Sequence, residues 1–270
     1  MLKTRVITAI LLTVTLVAAL FSLPPLAWNL LILGIACIAA WEWANLSKFT
    51  NLVKLVYIAL IAISSLVLML FIPTLMNFTI AVSALIATAF WLLVAPVLLY
   101  TKKQIHNKWL LAVIGMVIVL PFGGAMIGLR EIDPMFLLLF IVAVSVADSA
   151  AYFAGKNFGK HKLAPNISPG KTWEGVLGGL IGVSIFGLLV CHFGHLSYSF
   201  IPLLWLVAVL SVEGDLIESL FKRQANMKDS GNLLPGHGGV LDRIDGLTAS
   251  LPLLNFLIFL PMYLGMISHG

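Results

Sequence analysis

Long apolar runs of about twenty residues alternate along this chain with short polar interruptions. A helix that crosses a bilayer needs about 20 consecutive apolar residues. Nine windows of that kind can be drawn: 5–23, 27–45, 52–71, 77–99, 109–129, 134–154, 173–193, 200–221 and 246–267. The runs are continuous rather than alternating, which predicts helices and not barrel strands. Pro24 and Pro25 separate the first two windows, and Pro73 and Asn77 separate the third from the fourth. Pro96 lies near the end of the fourth, where it can kink the helix. The first window follows Lys3 and Arg5, as the core of a signal peptide would. It is longer than a ~7–15-residue signal core and no clean A-x-A site follows, so it reads as a retained helix.

Composition supports the pattern. Hydrophobic residues make up 61% of the 270 and charged residues 10%, where soluble domains carry about 25% charged. The expected fold class is all-α: a polytopic helical membrane protein of about nine spans. Basic residues orient it. With the N-terminus in the cytoplasm, 15 of the 16 Lys and Arg residues fall inside and only Arg130 outside. One span more or fewer early in the chain would scramble that asymmetry. The net charge of +5 suits anionic lipid and anionic ligands; it is too diffuse for nucleic acid, and no nucleic-acid-binding motif appears. Cys37 and Cys191 sit in apolar runs and offer neither a disulfide framework nor zinc spacing. No repeat or soluble domain is visible. The chain divides into N-terminal helices over 1–130 and a C-terminal region over 131–270, whose cytoplasmic loops 155–172 and 223–245 are both basic.

The departure from this pattern is Ser211–Gly246. It holds six carboxylates (Glu213, Asp215, Glu218, Asp229, Asp242, Asp245), four cations (Lys222, Arg223, Lys228, Arg243) and a Pro-Gly-His-Gly-Gly turn. Charge beside a membrane span is costly and marks a functional site by default. Asp215 and Glu218 lie one helical turn apart at the cytoplasmic end of window eight, and Asp242 and Asp245 repeat that spacing at the start of window nine. Two acid pairs facing across a helical hairpin can hold Mg²⁺, with phosphate oxygens and waters completing its shell. Lys222, Arg223, Lys228 and Arg243 supply charge for phosphate, and Gly238 and Gly239 beside His237 let backbone N–H groups approach an anion. Acids for metal beside bases for phosphate suit phosphoryl or nucleotidyl transfer. An internally neutralised salt-bridge loop is the plain alternative, but it leaves the glycine turn and the buried acids without a purpose.

Elsewhere the signals are thinner. Asp148 lies well inside window six, with Ser145 and Tyr152 on its helix face; it either joins two helices or marks a cavity, and the depth favours a cavity. Ser168 reads as an N-cap with Pro169 as the first helical residue, so Lys171 and the free N–H groups would form an anion site. A helix start with a snorkelling Lys171 fits the same residues equally well. Gly170-Lys171-Thr172 is not a Walker A loop, because Pro165 stands where that motif needs glycine. Gly175, Gly178, Gly179 and Gly182 make overlapping G-x-x-x-G pairs, suited to the core of one chain or to a dimer seam. His192 and His195, most of the tryptophans (Trp28, Trp41, Trp43, Trp91, Trp109, Trp173, Trp205) and Glu42 read as interfacial.

Several of these stretches together resemble one family. Ser219-x-x-Lys222-Arg223-x4-Lys228-Asp229-x-Gly231-x2-Leu234-Pro235-x-His237-Gly238-Gly239-x-x-Asp242-Arg243-x-Asp245 is similar, without a departure, to the signature of phosphatidate cytidylyltransferases (CDP-diacylglycerol synthases). Gly214-Asp215-x-x-Glu218-Ser219, Ser168-Pro169-x-Lys171-Thr172-x-Glu174-Gly175 and Asp148-x3-Tyr152-x2-Gly155 resemble it too. The match is strong over about 145–246; the N-terminal spans match only in general hydrophobic character.

The resemblance implies the reaction CTP + phosphatidate → CDP-diacylglycerol + pyrophosphate with Mg²⁺, in a polytopic homodimer, in a multi-pass location such as a bacterial inner membrane. It implies metal ligation by Asp215 and Asp242, and a monovalent ion such as K⁺ sharing the centre. The lipid phosphate is then the nucleophile and no protein nucleophile is needed. On this reading Asp215, Asp242, Lys222, Arg223 and Asp148 are expected catalytic residues. Lys171, Ser168, Lys228, His237, Gly238, Gly239, Arg243 and Tyr152 bind substrate, with His237 positional. Glu218 and Asp245 complete the metal set. Two other classes use similar features: a polyprenol or lipid kinase built on the same metal hairpin, and a transporter of a phosphorylated metabolite, though paired broken repeats of the kind transporters show are absent from the pattern.

Overall fold

A computed structural model describes residues 2–268, with side chains described for Thr4, 6–67 and 82–261. Among the described residues there are nine α-helices: α1 (Leu2–Ser22), α2 (Pro25–Leu46), α3 (Asn51–Ala89), α4 (Ala95–Thr101), α5 (Lys108–Ile132), α6 (Pro134–Phe158), α7 (Trp173–Gly194), α8 (Ile201–Ala225) and α9 (Leu241–Ser268). A π-helical stretch, Phe90–Val94, links α3 to α4. Proline begins α2 and α6, where its missing N–H costs nothing. Asn107 and Asp133 cap α5 and α6 with their side chains.

Among the described residues, seven helices are long and apolar enough to cross a membrane: Pro25–Leu46, Val82–Thr101, Lys108–Ile132, Pro134–Phe158, Trp173–Gly194, Tyr198–Ala225 and Leu241–Pro261. Val6–Ser22 and Asn51–Val67 are apolar but shorter. Pro73 and Asn77, expected to separate two spans, lie inside the helical stretch of α3 instead; the side chains of 68–81 are not among those described. The loop expected over 223–245 is shorter than that, because α8 runs on to Ala225 and α9 starts at Leu241.

Two close crossings organise the C-terminal half. A Cβ on Gly178 of α7 would lie 2.2 Å from the Ala154 Cβ of α6, and one on Gly182 would lie 2.5 Å from the Ala150 Cβ. The glycine face of α7 is therefore spent within the chain, on α6. A Cβ on Gly214 of α8 would lie 2.3 Å from the Asp245 carbonyl oxygen of α9. That contact lets the α8 and α9 backbones meet beside Asp215 and Asp245.

Residues 162–172 depart from expectation. Ser168 and Pro169 do not start a helix; Ser168–Thr172 forms a strand, β2, antiparallel to β1 (Lys162–Ala164). A residue before proline is driven to the extended region, which disfavours a helix start at Ser168. The cap of α7 is Thr172, whose Oγ1 accepts the Gly175 N–H at 3.1 Å. Glu174 locks the hairpin by accepting the His161 N–H on both carboxylate oxygens, at 3.2 Å each.

Tryptophan placement is mixed. Trp28, Trp43 and Trp91 are core residues, not belt residues. Trp43 Nε1 donates to the Leu111 carbonyl at 2.8 Å, which meets the polar need of a buried indole. Trp41, Trp109, Trp173 and Trp205 remain exposed. Arg130 donates to the Leu20 carbonyl at 2.9 Å and to the Leu23 carbonyl, closing the end of α1, and stacks 4.9 Å over Trp28.

Candidate active site

The α8–α9 crossing gathers acids. Ligand oxygens of Asp215, Glu218 and Asp245 all lie within 4.8 Å of one another. Two lysines answer them. Lys171, from β2, reaches Asp215 Oδ2 at 2.6 Å and the Val212 carbonyl at 3.4 Å. Lys222, one turn beyond Glu218, lies 2.6 Å from Glu218 Oε2 and 2.6 Å from Asp242 Oδ1. Glu218, Lys222 and Asp242 are all buried. Four carboxylates against two ammonium groups leave a formal charge of −2, which low-dielectric surroundings make expensive.

This arrangement fits a divalent cation. Glu218 Oε1 is buried and has no hydrogen-bond partner among the described residues, which is costly unless something positive faces it. Glu218 is one of the three clustered carboxylates with Asp215 and Asp245, and hard oxygen donors are what Mg²⁺ takes. Asp242 is placed differently from the expected Asp215–Asp242 pair. Its Oδ1 is engaged by Lys222, and its Oδ2 accepts the Gly239 N–H at 2.7 Å, the Ser230 N–H at 2.9 Å and the Ser230 hydroxyl at 3.0 Å. Asp242 thus binds the turn that precedes α9, while the oxygens facing one another belong to Asp215, Glu218 and Asp245.

That turn is narrow. Leu234 and Gly238 bridge as antiparallel partners, and the His237 N–H donates to the Leu234 carbonyl at 2.9 Å. Gly236 and Gly238 have φ of 76° and 80°, values that side chains disfavour. A cavity of about 570 Å³ opens on the turn, lined among others by Lys228, Asn232, His237, Gly238 and Arg243. His237 Nδ1 is buried there without a partner among the described residues. A second cleft, also about 570 Å³, is apolar and runs between α4, the hairpin, α7 and α8; Leu99, Ile167, Trp173, Val212 and Leu216 line it.

The remaining expected residues are spread around this centre. Asp148 on α6 lies within electrostatic range of Lys171, Asp215 and Arg243. Ser145 does not serve it; its hydroxyl turns back to the Ile141 carbonyl at 3.0 Å. Tyr152 is 62% exposed, with Lys156 Nζ 5.9 Å from its ring centroid. Arg223 donates to the Ile167 and Met227 carbonyls, at 3.4 Å each, and so ties the hairpin to the end of α8 rather than facing the acids. Ser168 sits on β2.

Glu42 was expected at the interface. It is fully buried and bonded to Ser230, Val240 and Leu241. The available signal was a charge inside an apolar run, which marks a functional residue as readily as an interfacial one. Ser230 falls at an unspecified position of the signature, between Asp229 and Gly231, so nothing in the sequence singles it out.

Comparison with known proteins points to one family. A model of the cytidylyltransferase family matches residues 3–260. The chain is 36% identical over 287 aligned residues to the phosphatidate cytidylyltransferase of Haemophilus influenzae, covering 96% of this chain and 99% of that protein. It is 38% identical over 270 residues to that of Pseudomonas aeruginosa, covering 96% and 97%. To that of Staphylococcus aureus strain COL it is 46% identical over 126 residues, covering 46% and 48%.

Proposed function

The chain belongs to the cytidylyltransferase family, and on that premise we propose that it makes CDP-diacylglycerol and pyrophosphate from CTP and phosphatidate. The observation that carries this reading is the group of Asp215, Glu218 and Asp245 flanked by Lys171 and Lys222 at a helix crossing. It offers sites for a cation and for phosphate in one place, beside an apolar cleft suited to acyl chains.

A phosphate oxygen of phosphatidate attacks the α-phosphorus of CTP, a new P–O bond forms, and the α–β phosphoanhydride bond breaks to release pyrophosphate. A phosphomonoester has a second pKa near 6 and is mostly dianionic at neutral pH, so no protein base is required. Asp215, Glu218 and Asp245 would hold Mg²⁺, which supplies polarisation of the phosphoryl oxygens when bound. Lys171 exchanges its Asp215 contact for substrate phosphate. Lys228 and Arg243, on the polar cavity, meet the polyphosphate, and His237 and Gly238 shape its wall. Lys222 neutralises Glu218 and Asp242 and keeps both in place. Charge clamping of this kind supplies most of the acceleration in phosphoryl and nucleotidyl transfer.

The chemistry resides in 131–270, with Glu42 reaching in from 1–130. Nine crossings with the N-terminus in the cytoplasm put the basic loops on the nucleotide side, in a bacterial inner membrane. A homodimer and a monovalent ion beside Mg²⁺ are further parts of the proposal.

The test is transfer of radiolabel from [α-³²P]CTP into lipid by purified protein, with phosphatidate and Mg²⁺ titrated separately. The expected result is a labelled lipid whose formation needs both. Label from [γ-³²P]ATP entering polyprenol, with none from CTP entering phosphatidate, would assign a kinase instead. Vesicle uptake of a phosphorylated metabolite without covalent transfer would assign a transporter.

A further inference from the structure

Glu42 lies in the apolar Trp41–Trp43 run of α2 and has no exposed surface. Burying an ionised carboxylate is costly unless its oxygens are satisfied. Here they are. Oε1 accepts the Val240 N–H at 2.9 Å, and Oε2 accepts the Leu241 N–H at 2.7 Å and the Ser230 hydroxyl at 3.0 Å. Leu241 begins α9, and the first N–H groups of a helix have no partner within it. A negative charge at that end also meets the positive end of the helix dipole.

The link continues into the site. The same Ser230 hydroxyl lies 3.0 Å from Asp242 Oδ2, so one proton is shared between two carboxylates. From Asp242 the contacts run to Lys222 and then to Glu218. The space around Glu42 is closely matched to it. A Cβ on Gly231 would lie 2.6 Å from Glu42 Oε1, and one on Gly239 would lie 2.5 Å from each Glu42 carboxylate oxygen.

We infer that Glu42 is a positioning residue for cytidylyl transfer. From the N-terminal part of the chain it holds residues 230–241, and through them the Asp242 carboxylate and the His237–Gly239 turn, without touching substrate. The inference rests on the reaction proposed above.

The test uses the full chain with Glu42→Gln, which keeps the side-chain size and turns one acceptor oxygen into a donor facing backbone N–H groups. Three quantities are read per folded molecule: kcat, the KM values for CTP and phosphatidate, and amide hydrogen exchange at Val240 and Leu241. The expected result is a kcat lower by about 10–100-fold, the range for partners that orient an active-site ligand. The phosphatidate KM should change by less than roughly twofold, and exchange at Val240 and Leu241 should be faster. Gly231→Ala, which crowds Glu42 while keeping its charge, should move kcat and exchange in the same direction but less; it decides the matter if Glu42→Gln does not fold. Faster exchange with wild-type kcat overturns the inference, because the turn would then be loosened without effect on the chemistry. Lost activity with unchanged exchange overturns it too. If the wild-type protein transfers no CMP, the assigned reaction is at fault, and the exchange measurement still decides whether Glu42 holds the turn.

Discussion

Lys171 Nζ lies 2.6 Å from Asp215 Oδ2, joining the short hairpin before α7 to the acid group on α8. The pair is partly exposed, with side-chain accessibilities of 21% and 36%. Exposed ion pairs contribute only about 0–1 kcal/mol to stability, so a structural purpose alone is a weak reason for this one. A lysine that can leave its partner for an incoming phosphate has a stronger one.

Lys171→Ala should therefore lower CMP transfer by about 100-fold or more, the scale on which charge-stabilising groups act, while the thermal midpoint moves little. Lys171→Arg should not restore full activity, because a planar fork does not replace a point charge. A well-folded Lys171→Ala protein with near wild-type kcat and CTP KM would show that the lysine only neutralises Asp215.

On the proposed reaction the acids should separate by role. Asp215→Asn and Asp245→Asn should each abolish nearly all activity and raise the Mg²⁺ midpoint at least about tenfold, since Mg²⁺ relies on carboxylate charge. The double variant should be little worse than either single, as expected of residues that act as one unit. Asp242→Asn should also lose activity, but with a Mg²⁺ midpoint near wild type, because the Asp242 oxygens hold Lys222, Ser230 and Gly239. Mg²⁺ titration of CMP transfer across the variants checks this. A shift for Asp242→Asn as large as that for Asp215→Asn would return Asp242 to the ligand set.

Lys222 carries a stability prediction. Its ammonium sits between two buried carboxylates, at 2.6 Å from each. Lys222→Met leaves both without their cation and should cost about 3–5 kcal/mol, seen as a lower melting temperature in detergent. Lys222→Met combined with Glu218→Gln should recover part of that loss. Equal melting temperatures for wild type and Lys222→Met would mean that the carboxylates are neutralised by other means.

Topology can be read by labelling in a chain with Cys37 and Cys191 replaced by alanine. The Gln224 side chain donates to the Lys103 carbonyl and accepts the Ile105 N–H, and Arg223 reaches Ile167, so the 102–107 loop, the hairpin and the end of α8 share one end of the bundle. His106→Cys and Asn166→Cys should be modified from the cytoplasmic side, and Tyr198→Cys only from the other. Outside labelling at Asn166 would reverse the proposed orientation and remove CTP access.

Features that depend on local pattern are legible in the amino-acid order alone. Apolar runs of membrane length identify helices because no lipid-exposed backbone can go unbonded in a bilayer. The charged stretch from Ser211 to Gly246 stood out because charge is rare in such a chain. Tertiary structure decided the rest. Glu42 meets Ser230, Val240 and Leu241 across separations of 188, 198 and 199 positions, and no periodicity encodes a partner that distant. The glycines of α7 suit a dimer seam by spacing alone, but Ala150 and Ala154 of α6 lie against them. The pairing of acids turned on the α8–α9 crossing at Gly214, which brings Asp245 beside Asp215 and leaves Asp242 to its own turn. Spacing along a helix says which side chains share a face; which faces then meet is decided by how closely two backbones can approach.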